Sequence, residues 1–286
     1  MEGAFGMTHT CQVLAVAAVV SAGLAPASAG QLPLDPFRET CQSVTPAYEG
    51  WYPNSDGTFS LSFGYFNRNT AEVIHIPVGR DNFIQSGDAK RGPPTHFLTG
   101  RHWGVFTVTV PADFGDQRVV WTLTSNGETF AIPGHLHNDW LIDALHDPAS
   151  GNRPPTIRFG LDGPEGQGPA GVIVGPRTVP VDAPLRLTVW GRDDLIRRPT
   201  DIPYGPPDRP AMTLTWVKHQ GPGEVRFSEP IVEIDTASGE GATTATFDEP
   251  GDYVLRVVVN DYSGVEHAGH AQCCWTNGFV LVHVTR

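Results

Sequence analysis

The clearest signal in the sequence is a period of two in the apolar positions of its first half. Phe59, Leu61, Phe63 and Tyr65 alternate with small or polar residues, which is typical of a β-strand with one buried face. Further strands are predicted at 73–76, 105–110, 119–124 and 129–132, and Asn126–Gly127 is typical of a tight hairpin turn. Together these strands predict one small β-sandwich between residues 46 and 133.

The second half has the same character and contains seven strand candidates. They lie at 185–190, 212–218, 225–227, 231–234, 243–247, 253–260 and 279–284. Seven short strands suit an immunoglobulin-like sandwich. The 32 glycines and 26 prolines favour many turns over helices. The predicted fold class is therefore all-β, with two tandem β-sandwich domains.

The alternation stops between residues 138 and 156, where the linker is predicted. Residues 139–146 predict one or two helical turns with Asn138 as the N-cap, and the prolines from Pro148 onward end them. We place the boundary near residue 150, which gives an N-terminal sandwich with a short linker at 46–150 and a second domain at 151–286. Residues 191–210 form a long, proline-rich loop.

The first 29 residues are typical of a cleaved secretory signal peptide. An apolar run at 13–20 is followed by Ala27-Ser28-Ala29, which predicts cleavage before Gly30. The run lacks a preceding Lys or Arg, and a start at Met7 would let the free amine supply that charge. Residues 30–45 are a leader segment of weak periodicity, and no later segment is apolar enough to span a bilayer. The mature chain is therefore expected to be secreted or periplasmic.

The charge balance bears on the partners that the chain can bind. Its formal net charge is −12, and Lys90 and Lys218 are the two lysines. An acidic surface repels phosphate backbones, and the sequence shows no basic cluster beyond the arginine pair at 197–198. We therefore expect no nucleic-acid partner.

Export also changes how the cysteines are interpreted, because thiols outside the cytoplasm tend to oxidise. Signal cleavage would leave Cys41, Cys273 and Cys274. We favour a long bridge from Cys41 to one of the adjacent pair, since neighbouring residues of a strand point to opposite faces. Such a bridge would contribute about 4–5 kcal/mol in the chain-entropy model. The alternative is a disulfide within the adjacent pair.

Several segments of the second half occur in the order found in PKD-type domains. They are 152–155 (NRPP), 185–194, 214–223 with its Leu-Thr-Trp strand, 245–257 (ATFDEPGDYVLRV) and 260–261. Residues 152–284 therefore resemble a PKD-type, immunoglobulin-like module, and the whole arrangement resembles uncharacterised secreted bacterial proteins that carry one. The resemblance implies an extracellular β-sandwich and implies no reaction.

Histidines near the predicted linker are the first candidates for chemistry. His135 and His137 are spaced to share one face of a strand, and imidazoles suit zinc or copper. Further ligands are available at His96, His102, Asp143 and His146. The alternative is that these are surface residues without a metal.

Acidic residues give two weaker hypotheses. Asp193, Asp194 and Asp261 are candidates for a calcium site at one end of the second sandwich, although turn formation explains the same residues and is favoured. No spacing singles out a pair of catalytic carboxylates, and no Gly-x-Ser-x-Gly elbow or phosphate-binding loop is present in the sequence.

Aromatic residues next to polar or turn positions are the best candidates for binding. Trp51, Tyr52 and Trp275 are expected to be exposed contact residues, because such side chains stack on sugars or anchor protein partners. Trp121, Trp190 and Trp216 are expected in the core.

These observations favour an exported, non-catalytic protein that binds a glycan or an envelope protein. The second hypothesis is a metal-binding protein or metal-dependent enzyme that uses His135 and His137. The third is a structural spacer within an envelope assembly.

Overall fold

The computed structural model describes residues 38–85, 92–148, 151–194, 212–235, 237–261 and 273–286. Across these ranges the regular structure is almost entirely β, and the helical element is a single 3-10 turn at Asn138–Trp140. This confirms the all-β fold class. No helix in the described part of the chain is long and apolar enough to cross a membrane. The predicted signal peptide and most of the 191–210 loop lie outside the described residues.

The first half forms two three-stranded sheets and a short two-stranded ladder. Its strands are β1 (Val44–Pro53), β2 (Phe59–Asn67), β3 (Ile74–His75), β4 (Asn82–Gln85), β5 (His96–Phe97), β6 (Gly100–Val110), β7 (Val119–Ser125) and β8 (Glu128–Gly134). The sheets have the orders β1-β2-β6 and β4-β7-β8, and β3 pairs with β5. All of these pairs are antiparallel.

Aromatic side chains fill the space between the two sheets of the first sandwich. Phe63 stacks on Phe106 with ring centroids 5.3 Å apart, and the Trp121 ring meets both of them edge-on. The Trp121 indole N–H donates to the buried side chain of Asn82 over 3.0 Å. The predicted burial of Trp121 is confirmed.

The second half contains nine strands in its described residues. They are β9 (Thr156–Arg158), β10 (Val172–Pro180), β11 (Leu185–Arg192), β12 (Met212–Gln220), β13 (Val225–Phe227), β14 (Ile231–Glu233), β15 (Glu240–Phe247), β16 (Gly251–Asp261) and β17 (Trp275–Thr285). The seven strands predicted for this half all occur.

The order of these strands is that of an immunoglobulin-like sandwich. One sheet runs β13-β15-β11-β9, and the other runs β10-β17-β16-β12-β14. The first matches the D-E-B-A sheet of that fold, and β17-β16-β12 match its G-F-C strands, with β10 parallel to β17. Tyr253, Leu255 and Val257 face the core together with Trp216, as the alternation predicts. Trp190, expected in the core, is only half-buried.

Some elements were missed by the sequence pattern. Residues 82–85 form β4 and residues 172–180 form β10, neither of which is among the predicted strands, and β10 contains Gly175 and Pro176. Glycine and proline are depleted in strands, so they hide such an edge strand. The predicted helix at 139–146 is reduced to one 3-10 turn, whose N-cap is His137 rather than Asn138.

The two sandwiches contact each other through hydrogen bonds between buried polar groups. The Asn277 amide donates to the carbonyl oxygen of Gly104 over 2.6 Å, and Arg256 donates to Val105 O over 3.1 Å. The backbone N–H of Thr95 donates to His219 O over 2.9 Å. Buried polar groups need such partners, so these bonds fix how the two halves dock.

A carboxylate lies under this contact. Glu49 on β1 accepts hydrogen bonds from Arg101 Nη2 at 2.7 Å and from the backbone N–H of Gly104 at 2.5 Å. Burial raises the pKa of Glu49 to about 7, although Arg101 and the Gly104 N–H favour the charged form. Glu49 therefore links the middle of β1 to the first half of β6.

Candidate functional site

The residues proposed from the sequence converge in part on one surface of the first sandwich. Trp51 lies on β1, while His135 and His137 follow β8 directly and lead into the 3-10 turn. Trp140 and Leu141 end this segment with side chains that are 41% and 52% exposed. We call the surface formed by Tyr48, Trp51, His135, His137, Trp140 and Leu141 the aromatic–histidine surface.

The rings of this surface are in mutual contact. His135 and His137 have ring centroids 4.2 Å apart, and Trp140 meets His135 edge-on at 5.9 Å. Tyr48 lies beneath them, with its ring centroid 5.2 Å from both His135 and Trp140. The result is a continuous patch of ring faces and edges with imidazole nitrogens among them.

Two backbone features hold this segment against β1. The pairing of β1 with β2 shifts register between Tyr48 and Gly50, and Gly50 takes a φ of +125°. A Cβ on Gly50 would lie 2.5 Å from the carbonyl oxygen of Trp140, so only glycine lets the segment approach this closely.

Hydrogen bonds complete the attachment of the segment. The backbone N–H of Ile142 donates to Trp51 O over 2.9 Å, and Leu141 forms a parallel bridge with Trp51. The indole N–H of Trp51 donates to His137 O over 2.8 Å, and the Tyr48 hydroxyl donates to His135 O over 2.5 Å. The exposed rings are therefore carried on a backbone that is bonded at several points.

Burial affects the pKa of two groups of this surface, His135 and Tyr48. Burial lowers the pKa of His135 below its usual range, and the neighbouring His137 and Arg118 act in the same direction. Burial also raises the pKa of the Tyr48 phenol. At neutral pH His135 and Tyr48 are therefore favoured as neutral hydrogen-bonding groups beside apolar rings.

The expected exposure of Tyr52 and Trp275 is wrong. Tyr52 is 3% exposed and packs with Ile142 and Ala144, and its hydroxyl accepts a hydrogen bond from the N–H of Ala170. Trp275 is 2% exposed and its ring lies against Gly104. Both side chains are covered because the two sandwiches meet there. Of the three predicted contact residues, only Trp51 is half-exposed.

Two of the four additional ligands proposed for a metal at His135 and His137 have other partners. His96 lies opposite His75 in the β3–β5 ladder, and His102 stacks on Tyr65 with its Nε2 2.9 Å from Thr99 O. Within the described ranges, no group of three His, Cys, Asp or Glu side chains is placed to hold a metal ion. Zinc or copper binding at His135 and His137 stays a prediction.

The favoured long disulfide is also wrong. Cys273 and Cys274 are bonded to each other, which is the alternative considered for the adjacent pair. The two residues precede β17 and lie in a bend, so the alternation of side chains along a strand does not apply to them. Cys41 lies at the other end of the chain, with its backbone N–H bonded to the Glu72 carboxylate over 2.7 Å.

The residues proposed for calcium lie at the ends of strands. Asp261 ends β16, is buried, and accepts a hydrogen bond from the side-chain amide of Asn152. This bond ties the end of β16 to the start of the second half. Calcium binding by Asp193, Asp194 and Asp261 stays a prediction.

A groove on the first sandwich was not anticipated from the sequence. It has a volume of about 690 Å³. It is lined by residues 41–42, 72–81 and 124–126. These three distant stretches combine loop residues with β3 and the end of β7, so no periodic pattern marked the groove.

No family model matches this chain, and no curated protein matches it. Among solved structures, it is similar to domains 4 and 5 of the S-layer protein SbsC, with 10% identity and a TM-score of 0.25, over 60% of this chain and 66% of that one. It is also similar to the S-layer protein rSbsC(31-844), with 12% identity and a TM-score of 0.25, over 85% of this chain and 27% of that one. The D00-D0 domain of intimin is 9% identical with a TM-score of 0.28, over 84% of this chain and 98% of that one.

Proposed function

We propose that this chain is an exported, non-catalytic binding protein, and that its aromatic–histidine surface contacts a glycan or a protein of the bacterial envelope. The observation that carries the proposal is the exposure of Trp140 and Leu141 beside His135 and His137. Single exposed apolar side chains are ordinary, whereas a contiguous group of rings and an aliphatic side chain is typical of a contact surface.

The surface is suited to binding because its backbone is held in place before a partner docks. The Trp140 segment is bonded to β1 through the N–H of Ile142 and packs against Gly50. Little backbone order has to be gained when a partner docks, which lowers the entropic cost of association. Aromatic anchors that are held in this way contribute most of the energy in many interfaces.

The chemistry of the surface fits a partner with both apolar and hydroxyl or amide groups. The Trp140 ring offers a face to the C–H groups of a sugar or to a protein side chain, and His135 and His137 offer hydrogen bonds. The net charge of −12 disfavours phosphate-rich partners. A location outside the cytoplasm is supported by two features: the resemblance of the second half to PKD-type domains and the signal-like N-terminus.

Binding to immobilised envelope glycans and to solubilised envelope proteins tests this proposal. We expect Trp140→Ala and Leu141→Ser each to raise the dissociation constant about tenfold or more, which corresponds to about 1.4 kcal/mol of binding free energy. Ile231→Ala is the matched control, because Ile231 is an exposed apolar residue at the edge of the second sandwich. Equal binding by the two surface variants, the control and the unmodified chain would refute the proposal.

A metal-binding role remains the second candidate function, favoured by the 4.2 Å separation of the His135 and His137 rings. If it is correct, purified protein will carry stoichiometric zinc or copper that is lost in a His135→Ala, His137→Ala double variant. Metal that is retained by this variant would exclude the candidate.

A further inference from the structure

Two histidines outside the aromatic–histidine surface face each other on the ladder of β3 and β5. His75 and His96 are directly opposed in the register of this antiparallel pair. Their Nδ1 atoms are 3.4 Å apart, with ring centroids separated by 4.7 Å. Residues directly opposed across two strands have side chains within contact distance, so the ladder itself sets this geometry.

The distance between the two Nδ1 atoms is the one that a shared metal ion requires. Zinc–nitrogen bonds of about 2.0–2.1 Å at the tetrahedral angle place two ligating nitrogens about 3.4 Å apart. The same distance is compatible with one imidazole donating a hydrogen bond to the other, and the experiment below separates these two cases.

A carboxylate is placed on the far side of one ring. Glu224 Oε1 lies 3.7 Å from His75 Nε2. At this distance the carboxylate acts on the ring through its charge, which favours a proton on the near nitrogen Nε2, and carboxylates recur behind metal-ligating histidines. A proton on Nε2 would leave Nδ1 of His75, 3.4 Å from Nδ1 of His96, available to bind an ion.

Two opposite charges, those of Lys218 and Glu224, lie beside the pair. Lys218 Nζ lies 3.4 Å from Glu224 Oε1 and donates to Gly223 O over 2.7 Å, so its positive charge is paired with this carboxylate. Lys218 and Glu224 belong to the second sandwich, whereas His75 and His96 belong to the first. The pair therefore lies where the two halves meet.

The site is open to solvent. The His75 side chain is 46% exposed and lies on the wall of the groove formed by residues 41–42, 72–81 and 124–126. No third His, Cys or carboxylate among the described residues completes a ligand set. Two protein nitrogens leave further coordination positions for water or for a ligand that enters along the groove.

We propose that His75 and His96 form a binding site for a divalent ion of the zinc and copper class, with Glu224 as the positioning residue behind His75. Imidazole ligands select these ions over calcium and magnesium, which prefer oxygen. The site is separate from the aromatic–histidine surface and does not depend on the function proposed for that surface.

Titration of metal-free mature protein with Cu²⁺ and with Zn²⁺, followed by calorimetry, tests the proposal. We expect one ion per chain, with a loss of affinity of tenfold or more in His75→Ala and in His96→Ala. Glu224→Gln should weaken binding about 10-fold to 100-fold while the stoichiometry stays at one. Electron paramagnetic resonance of the Cu²⁺ form should show coupling to two nitrogens, reduced to one in His96→Ala.

His283→Ala is the matched control, because His283 is an exposed histidine on β17 whose Nδ1 lies 2.7 Å from Asp252 Oδ1, away from both histidine pairs. It should bind the ion as the unmodified chain does. Circular dichroism establishes that each variant is folded, and His96→Asn serves if His96→Ala is not. Absence of binding, binding unchanged in both His75→Ala and His96→Ala, or an equal loss of binding in His283→Ala would each overturn the proposal.

Discussion

The Trp275 ring packs directly against the backbone of Gly104, across the contact between the two sandwiches. A Cβ on residue 104 would lie 2.3 Å from Trp275 Cζ2, and Gly104 has a φ of +48°. The carbonyl oxygen of the same glycine accepts from Asn277, and its N–H donates to Glu49. The docking of the two halves therefore depends on the absence of a side chain at this position.

Substitution of Gly104 tests this relationship. We expect Gly104→Ala to lower the free energy of unfolding by about 2–4 kcal/mol, because a methyl group would displace Trp275 and the positive φ would be strained. Gly127→Ala is the control: Gly127 also has a positive φ, of +79°, but has open space around it. Gly127→Ala should lower the free energy of unfolding by about 1 kcal/mol. Denaturant unfolding monitored by tryptophan fluorescence measures both, and equal losses would contradict the packing account.

The buried side chain of Asn82 supports three parts of the first sandwich at once. Its amide donates to Ile76 O over 3.0 Å and to Pro94 O over 2.7 Å, and its oxygen accepts from Trp121. Asn82→Ala leaves these groups buried without partners, so we expect a loss of stability of about 3 kcal/mol. Asn138→Ala, at an exposed position, should change it by less than about 0.5 kcal/mol. Thermal unfolding of the two variants compares them, and similar midpoints would argue against this role.

His219 links the stability of the protein to pH. It is buried, its Nε2 donates to Gly92 O over 2.7 Å, and burial with a contribution from Arg256 lowers its pKa to about 3. The unfolded chain binds a proton at His219 near pH 6.5, whereas the folded chain does not. The contribution of neutral His219 to the free energy of unfolding is therefore complete above pH 6.5. It is lost progressively toward pH 3, by up to ~1.4 kcal/mol per pH unit.

His219→Gln isolates this contribution. A glutamine amide can donate to Gly92 O and does not titrate, so the variant should have a shallower fall in unfolding free energy between pH 6.5 and pH 4. Urea unfolding at several pH values gives the two slopes. Parallel slopes for the variant and the unmodified chain would show that His219 does not carry this pH dependence.

The disulfide within the adjacent pair can be checked by mass spectrometry. In a digest of the non-reduced protein, the peptide that contains Cys273 and Cys274 should be lighter by the two thiol hydrogens and should not be joined to the peptide that contains Cys41. Reduction should restore the two hydrogens. A cross-linked peptide that joins Cys41 to Cys273 or Cys274 would contradict the structure and support the long bridge.

Local patterning explains why so many strands were found from the sequence. In β16 the residues at every second position from Tyr253 to Val259 are buried, and this alternation is visible in the chain itself. The strand β10 was missed because its pairing with β17 is interrupted between Val174 and Arg177, where glycine and proline break the pattern. A strand of this kind is defined by its neighbour rather than by its own residues.

The candidate site was only partly predictable for a related reason. His135 and His137 are two residues apart, so their proximity follows from local geometry. His75 and His96 are 21 residues apart and meet only through the β3–β5 register. The aromatic character of Trp51, Tyr52 and Trp275 predicts that they make contacts. It does not predict whether those contacts are with an outside partner or with the other sandwich of the same chain.

The amino-acid sequence by itself determined that this protein is built from β-strands in two successive sandwiches, because side chains alternate along a strand whatever lies around it. The tertiary structure alone decided which ring faces are exposed and which histidines meet. Those outcomes depend on how separate parts of the chain cover one another: Tyr52 and Trp275 are buried where the sandwiches dock, and Trp140 is exposed where no second layer covers it in the described structure.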